Sequence, residues 1–205
     1  MTDSKQHWED LYRNKAIDEV SWHQDNPQIS LELIRSVSPD LNTPIIDIGG
    51  GASMLVDRLQ QLGYQSLGVL DISAIALQHA MSRLGANADK IQWYEADITR
   101  FKSPVTYDVW HDRAVFHFLT GQDQQKAYIQ TLENTVRGGG HIIIATFAIG
   151  GPTRCSGLDI VQYDKDKLST LLGEHFGFIE QQSELHITPA GKQQAFQYFH
   201  FRYMP

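Results

Sequence analysis

The sequence predicts an α/β fold: a doubly wound, mostly parallel sheet with helices on both faces. Three observations carry that reading. Between residues 45 and 147, short apolar runs alternate with helix-spaced apolar patterns, as a parallel sheet with crossover helices requires. Three aspartates, Asp47, Asp71 and Asp97, fall at or just past the ends of successive runs. A glycine cluster, Gly49-Gly50-Gly51, separates the first run from the first helical pattern of the sheet region.

The elements follow in order. Residues 4–15 predict a helix, with Trp8, Leu11 and Tyr12 at helical spacing. Residues 28–37 predict a second, too apolar at Ile29, Leu31, Leu33, Ile34 and Val37 for a solvated face. Pro39 and Pro44 bracket a loop. Ile45–Ile48 is the first strand, and Gly63 stops the helix Leu55–Leu62 that follows. Ser66–Leu70 is a strand leading to Asp71, and Ser73 caps a helix running to about Leu84. Ile91–Glu95 and Tyr107–His111 are strands that lead to Asp97 and Asp112. A helix over Asp123–Val136 precedes Gly138-Gly139-Gly140, which turns into His141–Phe147, the strongest strand. The end of the chain departs from this alternation. A helix near Asp166–Leu172 leads to Gly177–Ile187 and Ala195–Tyr203, joined by a turn and no helix, so these two strands pair antiparallel. Residues 1–39 read as an N-terminal helical cap, and 40–205 as one compact catalytic unit.

Composition narrows the class. A formal net charge of -7 argues against a dedicated nucleic-acid binder, which needs a basic face for phosphates. No apolar stretch is long enough to span a bilayer, and Met1–Gln6 lacks the apolar core of a signal peptide. Cys155 is the only cysteine, so it forms no internal disulfide and reads as a small packed hydrophobe. Together these suit a reducing, cytoplasmic setting. The nine histidines show no metal-ligand spacing, His111 and His117 coming nearest, so no metal is expected. The glycine cluster lacks the Gly-Lys-Ser/Thr ending of a phosphate-binding loop. Oligomeric state leaves no mark.

The glycines and the helix start behind them build a nucleotide-type cofactor site. Asp71 lies 24 positions after Asp47, where a ribose diol meets a carboxylate acceptor. Asp97, acceptor-only when ionised, suits an exocyclic amine. Ribose plus adenine amine means an adenosine-containing ligand. Dinucleotide dehydrogenases share the glycine turn, so an NAD-dependent oxidoreductase is an alternative. It lacks support from a Tyr-x-x-x-Lys pair or a second substrate region.

Asp47-Ile48-Gly49-Gly50-Gly51 resembles the first motif of class I S-adenosylmethionine-dependent methyltransferases. Val69-Leu70-Asp71-Ile72-Ser73 resembles their ribose segment, Glu95-Ala96-Asp97-Ile98 their adenine segment, and Tyr107–Phe118 their fourth-strand motif. His7-Trp8-Glu9, Glu19–His23 and Arg154–Leu158 look like a bacterial subgroup of small members. Ser53 departs from the pattern, standing where many members carry a third glycine. The resemblance implies a seven-stranded, Rossmann-like sheet whose last strand runs antiparallel. It also implies S-adenosylmethionine as cofactor, with S-adenosylhomocysteine as product.

On that resemblance the expected donor-binding set is Asp47, Gly49, Gly51, Ser53, Asp71, Ile72, Asp97, Ile98, Asp112, Arg113, Ala114 and Trp22. Methyl transfer needs alignment of donor and acceptor rather than a protein nucleophile. His117 is the candidate base, or else a packed histidine. Arg113 either meets an acidic acceptor or pairs with Asp112, and the local pair is favoured. Trp22 and Tyr12 form a lid or close the core. The loop Ile149–Gln162, with Cys155 in it and Tyr163 just beyond, is expected over the site. A small-molecule acceptor is favoured, because little lies outside the catalytic unit to grip a macromolecule. A protein lysine and a non-catalytic cofactor-binding module are the alternatives. A nucleic-acid acceptor is disfavoured by charge and by the lack of an Asn-Pro-Pro-Tyr-like sequence.

Overall fold

The computed structural model describes residues 2–205, with side chains from Ser4 onward; Met1 lies outside it. Its helices are α1 (Thr2–Asn14), α2 (Gln28–Val37), α3 (Leu55–Gln61), α4 (Ala74–Leu84), α5 (Gln122–Thr135) and α6 (Lys165–Leu172). Its strands are β1 (Ile45–Ile48), β2 (Leu67–Asp71), β3 (Ile91–Glu95), β4 (Tyr107–Arg113), β5 (Val136–Phe147), β6 (Arg154–Cys155), β7 (Leu158–Asp159), β8 (Phe176–Ile187) and β9 (Gln193–Tyr203).

Seven strands form one sheet in the order β3-β2-β1-β4-β5-β9-β8. The pairs among β1 to β5 are parallel, and β9 is antiparallel to both of its neighbours. β8 therefore runs with the first five strands, and β9 alone runs against them. This is the mostly parallel, seven-stranded, Rossmann-like sheet with an antiparallel C-terminal strand. The chain order reverses between β1 and β4, and ligands of such sheets bind outside the strand ends at that point.

Strand alternation divides the interior into two cores. Ile46, Ile48, Trp110, Ile142 and Ile144 face α5 and α6, where Tyr128, Leu132 and Leu168 meet them. Ile45, Val109, Ile143 and Ala145 face α2, α3 and α4 through Leu33, Ile34, Leu59 and Leu77. A sheet buried on both faces requires an unbroken apolar run, and Ile142-Ile143-Ile144 supplies it. Each of these isoleucines is fully buried, contributing about 1.5–3 kcal/mol by area.

Two details differ from the sequence expectation. β5 begins at Val136, not His141, and takes Gly138–Gly140 into the strand. Val136 still pairs with Tyr107, and the register slips between Tyr107 and Val109, so the glycines absorb an irregularity rather than end the strand. The loop after β5 contains a small hairpin, β6 with β7, whose turn residues Ser156 and Gly157 both have positive φ.

Of the N-terminal segment, α2 lies against the sheet face, with Leu33 and Ile34 in its core. α1 instead arches beside α4 at the strand ends. Tyr12 packs with Ala52 and Ala76, and Trp8, Leu11 and Trp22 close around them. Glu9 accepts from the Ala74 N–H at 2.8 Å, and Lys5 pairs with Glu95. The half-exposed Lys5 pair adds little, so apolar contact holds most of this cap.

Arg83, near the end of α4, ties the glycine loop to its surroundings. Its guanidinium grips Asp57 of α3 with two bonds of 2.8 and 2.6 Å and donates to the Ala52 and Ser53 carbonyls. Asp57 is buried, so removing its partner leaves a charge without compensation. Arg83→Met is expected to lower the unfolding free energy by about 3 kcal/mol in urea titration. Arg83→Lys should recover only part, because an ammonium cannot fork onto a carboxylate. A loss under about 1 kcal/mol would mean the clamp behaves as a surface pair.

Candidate active site

The strand ends of β1 and β2 meet the loop between β1 and α3, and the three glycines let them approach. Gly49 adopts φ +65°, and a Cβ there would overlap Val115. A Cβ at Gly50 would fall 2.5 Å from Asp47 Oδ2, and one at Gly51 would overlap Asp71 Oδ2. The loop backbone thus rests directly on the two carboxylates.

Two cavities open over these ends and share Tyr12, Trp22, Gly49 and Arg113. The larger is a cleft of about 1000 Å³, open to solvent, with Asp71, Ile72, Asp97, Ile98 and Ala114 among its walls. Trp8, Phe118, Leu119 and Leu158 also line it. The smaller, of about 550 Å³, is lined by Asp47, Ser53, Ser30 and His111, among others.

Asp71 is buried and accepts from the Ser73 N–H at 2.8 Å. Burial pushes its carboxyl up to about 7; nearby Asp47 and Glu9 push the same way, against the Ser73 N–H. Asp97 uses Oδ1 to accept from the Thr99 N–H and hydroxyl, which fixes its turn. Asp47 Oδ1 accepts from His111 Nδ1 at 2.7 Å, while Asp47 Oδ2 is buried without a partner. Ser53 Oγ accepts from the Leu55 N–H at the start of α3. Ala114 holds φ +70°, a left-handed conformation that carries the chain sharply off β4 beside the cleft.

Four expected residues are placed differently. Gly51 lines neither cavity; it packs on Asp71 and Ala76. Asp112 also lines neither. Strand alternation turns it to the α5 face, where it accepts from Tyr128 Oη at 2.7 Å and from the Val115 and Phe116 N–H groups. It shapes the turn that carries Ala114 rather than touching the cleft. Arg113 does not pair with Asp112. It donates to Tyr198 Oη and the Trp22 carbonyl, both at 2.9 Å, and lies 3.5 Å from Glu184. His117 is withdrawn altogether: it is 0% exposed, packed on Phe147 and Phe118, with both ring nitrogens unpartnered. Burial, and then Arg113, push its pKa down to about 3, so it is a neutral packed ring and not a base facing an acceptor.

Residues not expected also appear. Trp8 and Phe118 meet edge to face at 5.0 Å, and Trp8 and Trp22 at 5.8 Å. Trp8 was visible as a helical-face aromatic, but nothing local showed that its helix crosses the strand ends. His111 and Ser30 form a polar chain behind Asp47. The available signal was the level ending of β1 and β4, which makes Asp47 and His111 register partners. Cys155 is buried under the β6–β7 turn, and burial raises its thiol pKa. Among the described residues, no cluster of three or more metal-ligand side chains occurs. No helix of the described chain is long and apolar enough to cross a membrane.

The site thus presents an acid over each of two strand ends, a glycine cradle, a third acid at Asp97 and an apolar cleft between. Comparison with known proteins agrees with that chemistry. A family model described as a methyltransferase domain matches residues 46–142. The N-methyltransferase NodS from Bradyrhizobium japonicum, solved with S-adenosylhomocysteine, superposes with TM-score 0.71 at 18% identity, covering 96% of this chain and 98% of that one. An S-adenosylmethionine-dependent methyltransferase from Anabaena variabilis superposes with TM-score 0.77 at 15% identity, covering 98% and 94%. The eEF1A lysine and N-terminal methyltransferase of Mus musculus is 20% identical over 156 residues, 76% of this chain. The chain spans about a fifth of the length of the curated relatives it matches. Nearly half of the chain thus matches a methyltransferase-domain model, and its fold is the one these S-adenosylmethionine-dependent methyltransferases share.

The residues present fit S-adenosylmethionine, the donor named for such a neighbour. The unpartnered Asp47 oxygen suits its ammonium, ionised Asp71 suits ribose hydroxyls, and the apolar walls suit the adenine. With a ribose on Asp71, its hydroxyl donors would favour the ionised carboxylate, so binding would lower the Asp71 pKa from about 7. The sign follows: affinity is full above about pH 7 and falls as pH drops below it. Titration calorimetry with S-adenosylhomocysteine should show this fall, at most about tenfold per pH unit. Asp71→Asn should bind more weakly at pH 8 and flatten the profile. A wild-type profile that is flat from pH 8 to 6 would remove Asp71 from the ribose.

Proposed function

We propose that the acceptor is an amine, methylated on nitrogen, and that it is carried by a small molecule. The observation behind this is the aromatic wall where the two cavities meet: Trp8, Tyr12 and Trp22, with Phe118 against Trp8. An amine gains positive charge as it is methylated, and aromatic faces stabilise that charge more in the product-like state than at the start. When bound, S-adenosylmethionine supplies an electrophilic methyl group, so the protein needs no nucleophile of its own. An alcohol acceptor needs a base; a free amine does not. The two histidines nearest the fourth strand's end are both committed. His117 is sealed, and His111 is bonded at both nitrogens. The chain therefore has a surface for cations, and neither of these two histidines is set to take a hydroxyl proton, which favours nitrogen.

A protein lysine is the second reading. Net charge -7 favours a basic partner, and the mouse relative is named for lysine and N-terminal methylation.

The test incubates the protein with isotopically labelled S-adenosylmethionine and two sets of acceptors. One set is metabolites bearing amine, hydroxyl or thiol groups; the other is heat-denatured cell protein. Mass spectrometry should find label on nitrogen in the first set. Label on protein lysines alone would favour the second reading, and label on oxygen or sulfur alone would overturn the amine assignment. On the acceptor found, Trp8→Leu should lower kcat/KM about tenfold while leaving S-adenosylhomocysteine affinity within about threefold, since it keeps apolar bulk but removes the π face.

A further inference from the structure

The Asp47 carboxylate is held by one oxygen only. β1 and β4 end level, so Asp47 and His111 are register partners and point to the same face of the sheet. On that face lies α2, whose inward row is Ser30, Leu33 and Ile34. His111 Nδ1 lies 2.7 Å from Asp47 Oδ1, and His111 Nε2 lies 2.9 Å from Ser30 Oγ. A carboxylate oxygen only accepts, so Nδ1 carries the proton; in the neutral ring Nε2 then accepts the Ser30 hydroxyl. All three residues are buried, and Ser30 at 0% exposure ends the chain inside the protein. The second oxygen, Asp47 Oδ2, has no partner and lies under Gly50, beside the smaller cavity.

We propose that His111 is a positioning residue for the methyl donor, fixing the Asp47 carboxylate so that its free oxygen receives the donor's ammonium. The proposal rests on placing the donor's amino-acid end in the smaller cavity. The imidazole occupies one oxygen and sets the rotation of the carboxylate, and the Ser30 hydroxyl sets the tautomer and tilt of the imidazole. Without His111 the carboxylate loses its aim, so the preference for an ammonium falls while the adenosine end is untouched. Arg113, the cation bordering this cavity, is engaged by Tyr198, the Trp22 carbonyl and Glu184, and so leaves Asp47 to the ligand.

The experiment pairs a change in the protein with a change in the ligand. Affinities are measured for S-adenosylhomocysteine and for its deamino analogue. Wild type should prefer the amine-bearing ligand by about tenfold or more. His111→Leu should lose most of that preference and bind the deamino analogue as wild type does. His111→Asn, which returns an N–H near the Nδ1 position, should regain most of it. In turnover His111→Leu should raise KM for S-adenosylmethionine more than it lowers kcat. Ser30→Ala, a milder change, should lose the preference in part and serves if His111→Leu does not fold. If wild type shows no preference, the placement of the amino-acid end falls and this proposal with it. If wild type shows the preference and His111→Leu keeps it, or loses affinity equally for both ligands, His111 is structural and the proposal alone is overturned.

Discussion

Three consecutive residues without side chains are the constraint on which the site depends. Gly50 rests on the Asp47 carboxylate and on Val69, Gly51 on the Asp71 carboxylate and Ala76, and Gly49 against Val115. The usual argument for glycine in such a loop is the approach of a ligand. Here the protein's own acids claim the space first. A Cβ at Gly50 or Gly51 pushes a strand-end carboxylate out of line before a ligand arrives, and one at Gly49 collides with Val115. This placement costs stability, because two carboxylates are buried near one another and burial lifts Asp71 to about 7. Donors offset the cost locally: the Ser73 N–H for Asp71 and His111 for Asp47. Arg83 grips the loop from behind through the Ala52 and Ser53 carbonyls. A ligand with an ammonium and a diol supplies what the acids still lack.

β4 shows how a single step along a strand separates two jobs. His111 and Asp112 are adjacent and both buried, yet they point to opposite faces. His111 joins Asp47 on the α2 side. Asp112 joins Tyr128 on the α5 side and accepts the N–H groups of Val115 and Phe116. Burial raises Asp112 to about 6, while Tyr128 and those backbone groups pull the other way. The result is a rigid turn that puts Ala114 at the cleft and tucks His117 behind it. The acid that looks most like a ligand contact at the end of β4 is therefore a brace for the backbone.

The sheet was legible because its evidence is local and repeated: apolar runs, strand-end acids, helix caps and a terminal pair with no crossover. Asp47, Asp71 and Asp97 were legible for the same reason, each marking its own strand end. What was not legible depends on register and on faces. That His111 meets Asp47 follows only from β1 lying beside β4, and that Ser30 completes the chain follows only from α2 packing on that side. Arg113 and Asp112 are neighbours in sequence, and the local pairing was the natural expectation. A strand turns them apart, and a partner 71 residues away, Glu184, stands by Arg113 instead. His117 looked reactive because histidine titrates near neutrality, but the turn over Phe116–Phe118 packs it inward, and burial removes that property.

Arg113 also explains why the two ends of the chain belong to one site. Its guanidinium donates to the Trp22 carbonyl from the N-terminal segment and to Tyr198 of the terminal hairpin, and stacks 4.4 Å over Phe196. Two further bonds run alongside: His186 to the Ser21 carbonyl and Gln24 to Glu184. The segment bearing Trp22 is thus hydrogen-bonded to the hairpin, while the Trp22 ring packs beside Ala52 of the glycine loop. In the proposed placement the donor lies over the strand ends and the acceptor against the cap and hairpin, and the strand that ends in Arg113 joins them. Substitutions in the hairpin can therefore reshape the Trp22 side of the aromatic wall through Arg113 and Glu184. On that reading the acceptor surface can vary while the fold that carries the strand-end acids is kept.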